Sequence, residues 1–207
     1  MSVPDDQPIE NLPPHDRRRF FRAGLSRLLK PLAEMVEKKL PIALPVMRTT
    51  LRPPGAKAER EFLDTCFRCG ACADACPAKA ILLTPGGADD ERTGTPYVDP
   101  DLQPCVICDE LACMKVCPSG ALQLVGKNEI RMGLARTDDA LCLRSRGENC
   151  TLCVDRCPLG QDAIRLGPDG RVQVIDPALT GIGCTGCGVC QQACPTVPRK
   201  AIRVFVN

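Results

Sequence analysis

Sixteen cysteines fall into four groups of four, and every group ends in Cys-Pro. Cys66, Cys69, Cys72 and Cys76 read C-x2-C-x2-C-x3-C-P, and Cys184, Cys187, Cys190 and Cys194 repeat that spacing. Cys105, Cys108, Cys113 and Cys117 read C-x2-C-x4-C-x3-C-P, while Cys142, Cys150, Cys153 and Cys157 read C-x7-C-x2-C-x3-C-P. No cysteine is left over. A cubane [4Fe–4S] cluster has four iron corners, each taking one soft thiolate, and the first of these spacings is a bacterial run that wraps such a cube. Sixteen thiolates taken four at a time predict four [4Fe–4S] clusters, with all sixteen cysteines as ligands. Gly70, Gly186 and Gly188 lie inside the loops, where the lack of a Cβ permits unusual dihedrals and close backbone approach. Pro77, Pro118, Pro158 and Pro195 then turn the chain away from the helical turn that carries the fourth cysteine.

Other uses of cysteine fit less well. Disulfides explain an even count but not four C-x3-C-P endings, and no convincing secretion signal precedes them. Structural zinc often recruits histidine, and the one histidine, His15, lies far from the motifs. Gly181-Ile182-Gly183-Cys184-Thr185-Gly186 matches the dinucleotide fingerprint but overlaps a predicted cluster loop and opens no long βαβ unit. With a single histidine, acid–base catalysis is poorly supplied.

The chain has 207 residues, enough for one or two small domains, with 3% aromatic residues and no Trp. A large organic core is not expected; the clusters replace it, and residues 61–207 are predicted not to fold stably without iron and sulfide. The net charge of +2 gives no nucleic-acid signature. It is unevenly spread. Residues 1–60 hold twelve Lys/Arg against seven Asp/Glu, and residues 61–207 hold fifteen against eighteen. No run of apolar residues is long enough to predict a transmembrane helix.

Along the chain, residues 1–15 read as a disordered tail. Residues 16–40 read as an amphipathic helix, with Leu25, Leu28, Leu29, Leu32, Met35, Val36 and Leu40 on one face. That helix packs on the body, docks a partner, or lies on a membrane surface as a peripheral contact. It begins at Arg17-Arg18-Arg19-Phe20-Phe21-Arg22, which resembles a degenerate twin-arginine export signal. The segment that follows carries Arg27, Lys30, Glu34, Glu37, Lys38 and Lys39 where an export signal needs an uncharged apolar stretch. The expected location is therefore cytoplasmic and membrane-associated, with periplasmic export as the alternative. Residues 41–60 read as an extended, proline-punctuated linker, with a short helix from Ala58 to Thr65 leading into Cys66.

Residues 61–207 read as the four-cluster domain. Short strands are expected at Ala80–Leu83, Ala121–Val125, Ala163–Leu166 and Ala201–Val206, each after a Cys-Pro. Arg171–Ile175 is expected to form a hairpin with Ala163–Leu166, and Ile130–Thr137 to pair with Ala121–Val125. The fold class is α+β: tandem bacterial-ferredoxin-like modules, with short strands and helical turns around four clusters, preceded by an amphipathic helix.

The connecting stretches sharpen this reading. Leu51-Arg52-Pro53-Pro54-Gly55-Ala56, Cys66-Phe67-Arg68-Cys69-Gly70 and Thr93-Gly94-Thr95-Pro96-Tyr97 resemble the NapG/MauM family of ferredoxin-type proteins. So do Cys117-Pro118-Ser119-Gly120-Ala121-Leu122, Arg131-Met132-Gly133-Leu134-Ala135, the seven-residue gap before Cys150, and Cys184-Thr185-Gly186-Cys187-Gly188. The resemblance covers about residues 51–207. It implies four [4Fe–4S] clusters in an electron carrier without catalytic residues, working between redox protein partners: a membrane quinol-oxidising subunit and a terminal reductase.

Cysteine sharing has two solutions. Consecutive pairing joins the first motif with the second and the third with the fourth. The spacing of the second motif resembles electron-transfer subunits of molybdenum oxidoreductases, which implies nested pairing and is the favoured solution here. Nesting places Cys194 with Cys66, Cys69 and Cys72, and Cys76 with Cys184, Cys187 and Cys190. It also places Cys157 with Cys105, Cys108 and Cys113, and Cys117 with Cys142, Cys150 and Cys153.

The leading functional expectation is a relay of single electrons. An enzyme would need an iron corner free of thiolate, and the ligand count leaves none. A cluster-bearing assembly or sensor protein that docks an oxidoreductase is the other alternative. Asp109 and Glu110 are expected to lower the potential of their cluster. Arg144 and Arg146 are expected to raise that of theirs or to dock an acidic partner; solvated surface charge is the competing reading for all four.

Overall fold

The computed structural model describes residues 49–86 and 90–206. The tail expected over residues 1–15, the amphipathic helix over 16–40 and the start of the linker lie outside the described residues. What is described belongs to one compact unit.

The architecture is a mixture of short helices and two-stranded antiparallel sheets. Helix α1 (Glu59–Thr65) is the longest element. Glu59 and Glu61 occupy its first turn, where the helix dipole favours negative charge, and Phe62 and Leu63 bury its inner face. It is followed by α2 (Ala71–Asp74), β1 (Ile81–Leu83), β2 (Pro96–Val98) and α3 (Ala112–Lys115). Next come β3 (Leu134–Thr137), α4 (Leu152–Asp155), β4 (Ile164–Leu166) and β5 (Val172–Val174). The series ends with α5 (Pro177–Thr180), α6 (Val189–Ala193) and β6 (Ile202–Phe205). Four of the helices span a single turn. Too short to be stable alone, they are held by the loops on either side. Among the described residues no helix is long and apolar enough to cross a membrane.

The strands pair in two ways, and each way occurs twice. β1 and β2 form a hairpin after the first cysteine motif, with Leu82 opposite Tyr97. β4 and β5 form one after the third motif, with Arg165 opposite Gln173. This second hairpin matches the alternation of Ala163–Leu166 and Arg171–Ile175. The other pairing closes each half. β3 precedes the third motif and pairs with β6 after the fourth, from Leu134↔Phe205 to Thr137↔Ile202. In the first half, Ala56 bridges Leu122, the Gln123 N–H donates to the Gly55 carbonyl at 2.8 Å and the Lys57 N–H to the Ala121 carbonyl at 3.1 Å.

Ile130–Thr137 therefore does not pair with Ala121–Val125. Its partner lies near the end of the chain, because each half is closed by the strand on the far side of two motifs, a contact that local alternation does not reveal.

Residues 51–58, read from sequence as the end of a linker, pack against the body. Arg52 is fully buried. Its guanidinium donates to both carboxylate oxygens of Glu59, with an Nη2–Oε1 distance of 2.6 Å. Nη1 donates to Thr95 Oγ1 and to the Pro96 carbonyl, each at 2.9 Å. The guanidinium also lies 4.7 Å from the centre of the Phe62 ring. A buried charge is tolerated only when paired and hydrogen-bonded in this way. The Val98 N–H donates to the Leu51 carbonyl at 2.8 Å, tying the same segment to β2.

The two halves meet through backbone. The Cys105 N–H donates to the Cys187 carbonyl at 3.0 Å, and the Met132 N–H to the Thr185 carbonyl at 2.9 Å. Gly186 makes the second contact possible: its φ is +74°, and a Cβ there would fall 2.4 Å from the backbone of Gly133. No other residue type meets both conditions.

Candidate metal centres

Each cysteine motif consists of a loop and one helical turn. In three of the loops the residue before the second cysteine adopts a left-handed conformation: Arg68, Ile107 and Gly186. A left-handed residue other than glycine is strained and persists only where its surroundings require it. Here it turns peptide N–H groups toward sulfur. The Arg68 N–H donates to Cys66 Sγ at 3.4 Å, and the Ile107 N–H approaches Cys105 in the same sense. The glycines in these loops were anticipated from sequence; Arg68, Ile107 and Leu111, also left-handed, were not.

Twelve of the sixteen cysteines gather by four, and the groups mix the motifs. One cavity is lined by Cys105, Cys108 and Cys113 of the second motif with Cys76 of the first. Another is lined by Cys184, Cys187 and Cys190 of the fourth with Cys157 of the third. A further cavity is lined by Cys142, Cys150 and Cys153 of the third with Cys194 of the fourth. Around these three lie about 400, 330 and 350 Å³ of space free of protein atoms, part of it open to solvent. The cysteines that remain are Cys66, Cys69, Cys72 and Cys117, and Cys72 lies within electrostatic reach of both Cys66 and Cys117.

Pairing is therefore consecutive, and the nested scheme is corrected. The first three cysteines of a motif share a site with the fourth cysteine of its neighbour in sequence. α2 packs on α3 and α4 on α6, which brings those motifs together. The spacing of the second motif misled because an altered loop says nothing about which loop packs beside it.

Neighbouring sites also touch. Cys113 lies near Cys72, Cys105 near Cys187, and Cys190 near Cys153. The sites thus form a row. Site I holds Cys66, Cys69, Cys72 and Cys117, and site II holds Cys105, Cys108, Cys113 and Cys76. Site III holds Cys184, Cys187, Cys190 and Cys157, and site IV holds Cys142, Cys150, Cys153 and Cys194.

The first two sites are more exposed than the last two. Cys69 of site I is exposed, and Phe67 beside it is 69% exposed. All three of site III's own loop cysteines are buried. Burial pushes the thiols of Cys105, Cys113 and Cys187 up to about 12, and neighbouring thiols add to the shift. Burial and the nearby Cys66 lift Cys72 to about 11. For Cys117 and Cys194 burial also raises the thiol, but hydrogen bonds outweigh it. Ser119 and the Leu122 N–H lower Cys117, and Thr196 with several N–H groups lowers Cys194.

The groups present fit an iron–sulfur cluster. Among the described residues, no three His, Cys, Asp or Glu converge on a single-ion site, whereas a cubane binds one thiolate at each of four separate irons. The site II cavity is walled, apart from its cysteines, by Pro54, Pro77, Ala78, Ala80, Ile81, Val106, Ile107 and Leu111. Thr185 lines the site III cavity and Thr137 that of site IV, and the hydroxyl of each is buried without a hydrogen-bond partner in the protein. A buried hydroxyl left unpaired is costly unless something else in the cavity accepts its proton.

Three of the charges expected to tune the sites, Asp109, Glu110 and Arg144, have local partners. Lys127 Nζ lies 2.5 Å from Asp109 Oδ1, and Lys115 Nζ 2.8 Å from Glu110 Oε2. These ammonium groups hold both carboxyls below their ordinary values. Arg144 donates to the Gly170 carbonyl and to Asn149 Oδ1, each at 2.8 Å, bracing the insertion of the third motif.

Comparison with known proteins agrees with this geometry. The 4Fe-4S dicluster domain family matches residues 65–121, which hold the first two motifs, and again 146–197, which hold the last two apart from Cys142. The chain is 39% identical over 169 residues to the methylamine utilization ferredoxin-type protein MauM of Paracoccus denitrificans, covering 79% of this chain and 74% of that one. It is 35% identical over 199 residues to MauM of Methylophilus methylotrophus, covering 92% and 86%. It is 36% identical over 208 residues to the ferredoxin-type protein NapG of Escherichia coli K12, covering 93% and 87%. The chain thus belongs to the ferredoxin-type proteins that include MauM and NapG, electron carriers built on the 4Fe-4S dicluster domain.

Proposed function

We propose that the chain binds four [4Fe–4S] clusters, one in each of sites I to IV with all sixteen cysteines as ligands, in two tandem modules of the bacterial-ferredoxin kind. On this reading it passes single electrons from a quinol-linked membrane donor at one end of the row to a terminal reductase at the other. The gathering of the cysteines by four, each group shared between adjacent motifs, is the observation that carries this reading. When bound, a [4Fe–4S] cluster supplies a reversible one-electron couple whose potential its surroundings set within about −700 to +450 mV.

The protein's own residues do the rest. The cysteines fix each site at a short distance from the next. Pro54, Ile81 and Ile107 around site II keep water out, as Leu159, Ile164 and Val174 do around site III. Peptide N–H groups aimed at Cys66, Cys76 and Cys117 offset negative charge on the sulfurs. Cys69 and Phe67 give site I an open face for a partner.

Residues 16–40 are assigned to docking at the membrane from the cytoplasmic side, on the strength of their charged apolar-faced pattern. Material recovered outside the inner membrane on fractionation would replace that location with export through the twin-arginine motif.

Anaerobic purification, iron and sulfide analysis, and EPR during a redox titration test the proposal. About sixteen irons per chain, four for each cubane, with coupled signals from neighbouring reduced clusters are expected. A markedly lower content, or a signal that shifts on adding a small molecule, would replace the relay with an open-site reading.

A further inference from the structure

We propose that three hydroxyl groups rank the sites in potential: Ser119 acts at site I, Thr185 at site III, Thr137 at site IV, and none at site II. Site II is then the most reducing position in the row. The inference rests on the reading that each site holds a cluster.

The four Cys-Pro endings supply part of the pattern. They continue as Cys76-Pro77-Ala78, Cys117-Pro118-Ser119, Cys157-Pro158-Leu159 and Cys194-Pro195-Thr196. The cysteine in each is the one that closes its neighbour's site. Backbone donors do not separate the sites of the first half, since the Ala80 N–H reaches Cys76 Sγ and the Leu122 N–H reaches Cys117 Sγ, both at 3.4 Å. The hydroxyl does separate them. Ser119 Oγ lies 3.6 Å from Cys117 Sγ and accepts from the Ala121 N–H at 3.3 Å, which leaves its proton for the sulfur. Ala78 offers site II nothing comparable, and no hydroxyl residue lines that cavity.

Sites III and IV add the two buried hydroxyls that lack a protein partner, Thr185 and Thr137. Each lines its cavity, so the acceptor open to it is whatever the cavity holds. Thr196 Oγ1 lies 3.3 Å from Cys194 Sγ, but its single proton goes to the Arg199 carbonyl at 2.9 Å and its oxygen accepts from the Ala201 N–H at 2.7 Å, so it adds no donor to site IV. A hydrogen bond to cluster or ligand sulfur stabilises the reduced form, which carries one more negative charge, and so raises the potential.

The test is an EPR-monitored titration of the full, cluster-loaded chain with dithionite and mediators. Thr185→Val is expected to make one cluster at least about tenfold harder to reduce, a downward shift of about 59 mV for a one-electron couple. Thr185→Ser is expected to restore it. Ser119→Ala should lower a different cluster, and Ala78→Ser should raise the lowest one of all. Unchanged potentials in Thr185→Val and Ser119→Ala, with iron content equal to the parent, would overturn the ranking. Should Thr185→Val fail to load, Ser119→Ala and Ala78→Ser decide it at the other two sites. A parent chain that carries no cluster iron would instead overturn the cluster reading itself.

Discussion

The two halves of the molecule place their cysteines alike and secure themselves differently. The second half is closed by a four-residue ladder between β3 and β6. The first has no such ladder: isolated bridges at Ala56–Leu122 and Leu51–Val98 tie it, beside the buried Arg52–Glu59–Thr95 network. The comparison separates what the metal chemistry dictates from what it leaves free. Loop geometry, left-handed turns and the swapped fourth cysteine recur, whereas the means of holding the ends together does not.

The largest perturbation should erase the difference. Stripping iron and sulfide is expected to abolish cooperative unfolding in both halves, since most thiols then face apolar walls around empty space. Loss of the thermal transition by circular dichroism checks this, and a native-like transition in the apoprotein would show that one half stands on its own.

Next in size is a cysteine pair. Cys76→Ser with Cys105→Ser is expected to remove one cluster, about four of sixteen irons, because both side chains line one cavity. Under nested pairing the same pair would cost two clusters, so iron analysis distinguishes the schemes.

Arg52→Ala should damage the first half alone. It removes the buried guanidinium that binds Glu59, Thr95 and the Pro96 carbonyl, and breaking such a buried pair costs about 3–5 kcal/mol. Hydrogen exchange is expected to quicken over residues 51–98, while the amides of β3 and β6 stay protected.

The smallest effect is expected from Asp109→Asn and Glu110→Gln. Both carboxylates are fully exposed and already paired with lysine, so cluster potentials should barely move. The pH dependence has the same sign for both. Their folded values lie below the ordinary 3.8 and 4.5, so whatever the pairs contribute is present above those values and is lost as pH falls through the lower folded ones. Melting temperatures across pH 5–8 should show no pH dependence from either pair.

These contrasts also mark how far sequence reading reaches. The cysteine runs, the hairpin of β4 and β5 and the helix ahead of Cys66 are local patterns, and periodicity and spacing expose them. Strand β6 could be placed by its position after Cys194, but not its partner. The pairing of β3 and the sharing of cysteines depend on which of four cysteine loops packs beside which, and the spacing within a loop carries no such information. Arg52 looked like part of a linker because a charged residue among prolines reads as exposed until its counter-ion, seven residues on, is brought under it. The hydroxyls of Thr137 and Thr185 gave no signal either. A threonine beside a cysteine, as at 185, or at the end of a strand, as at 137, is ordinary, and only burial without a partner sets each apart.

The joint between sites II and III has a consequence for how such a protein can diverge. It is a hydrogen bond from the amide of Cys105 to the carbonyl of Cys187, atoms present whatever side chains occupy those positions. Apart from proline at 105, no replacement deletes it. Drift in the surrounding residues can therefore retune each site over generations while the interval between the two inner sites stays constant.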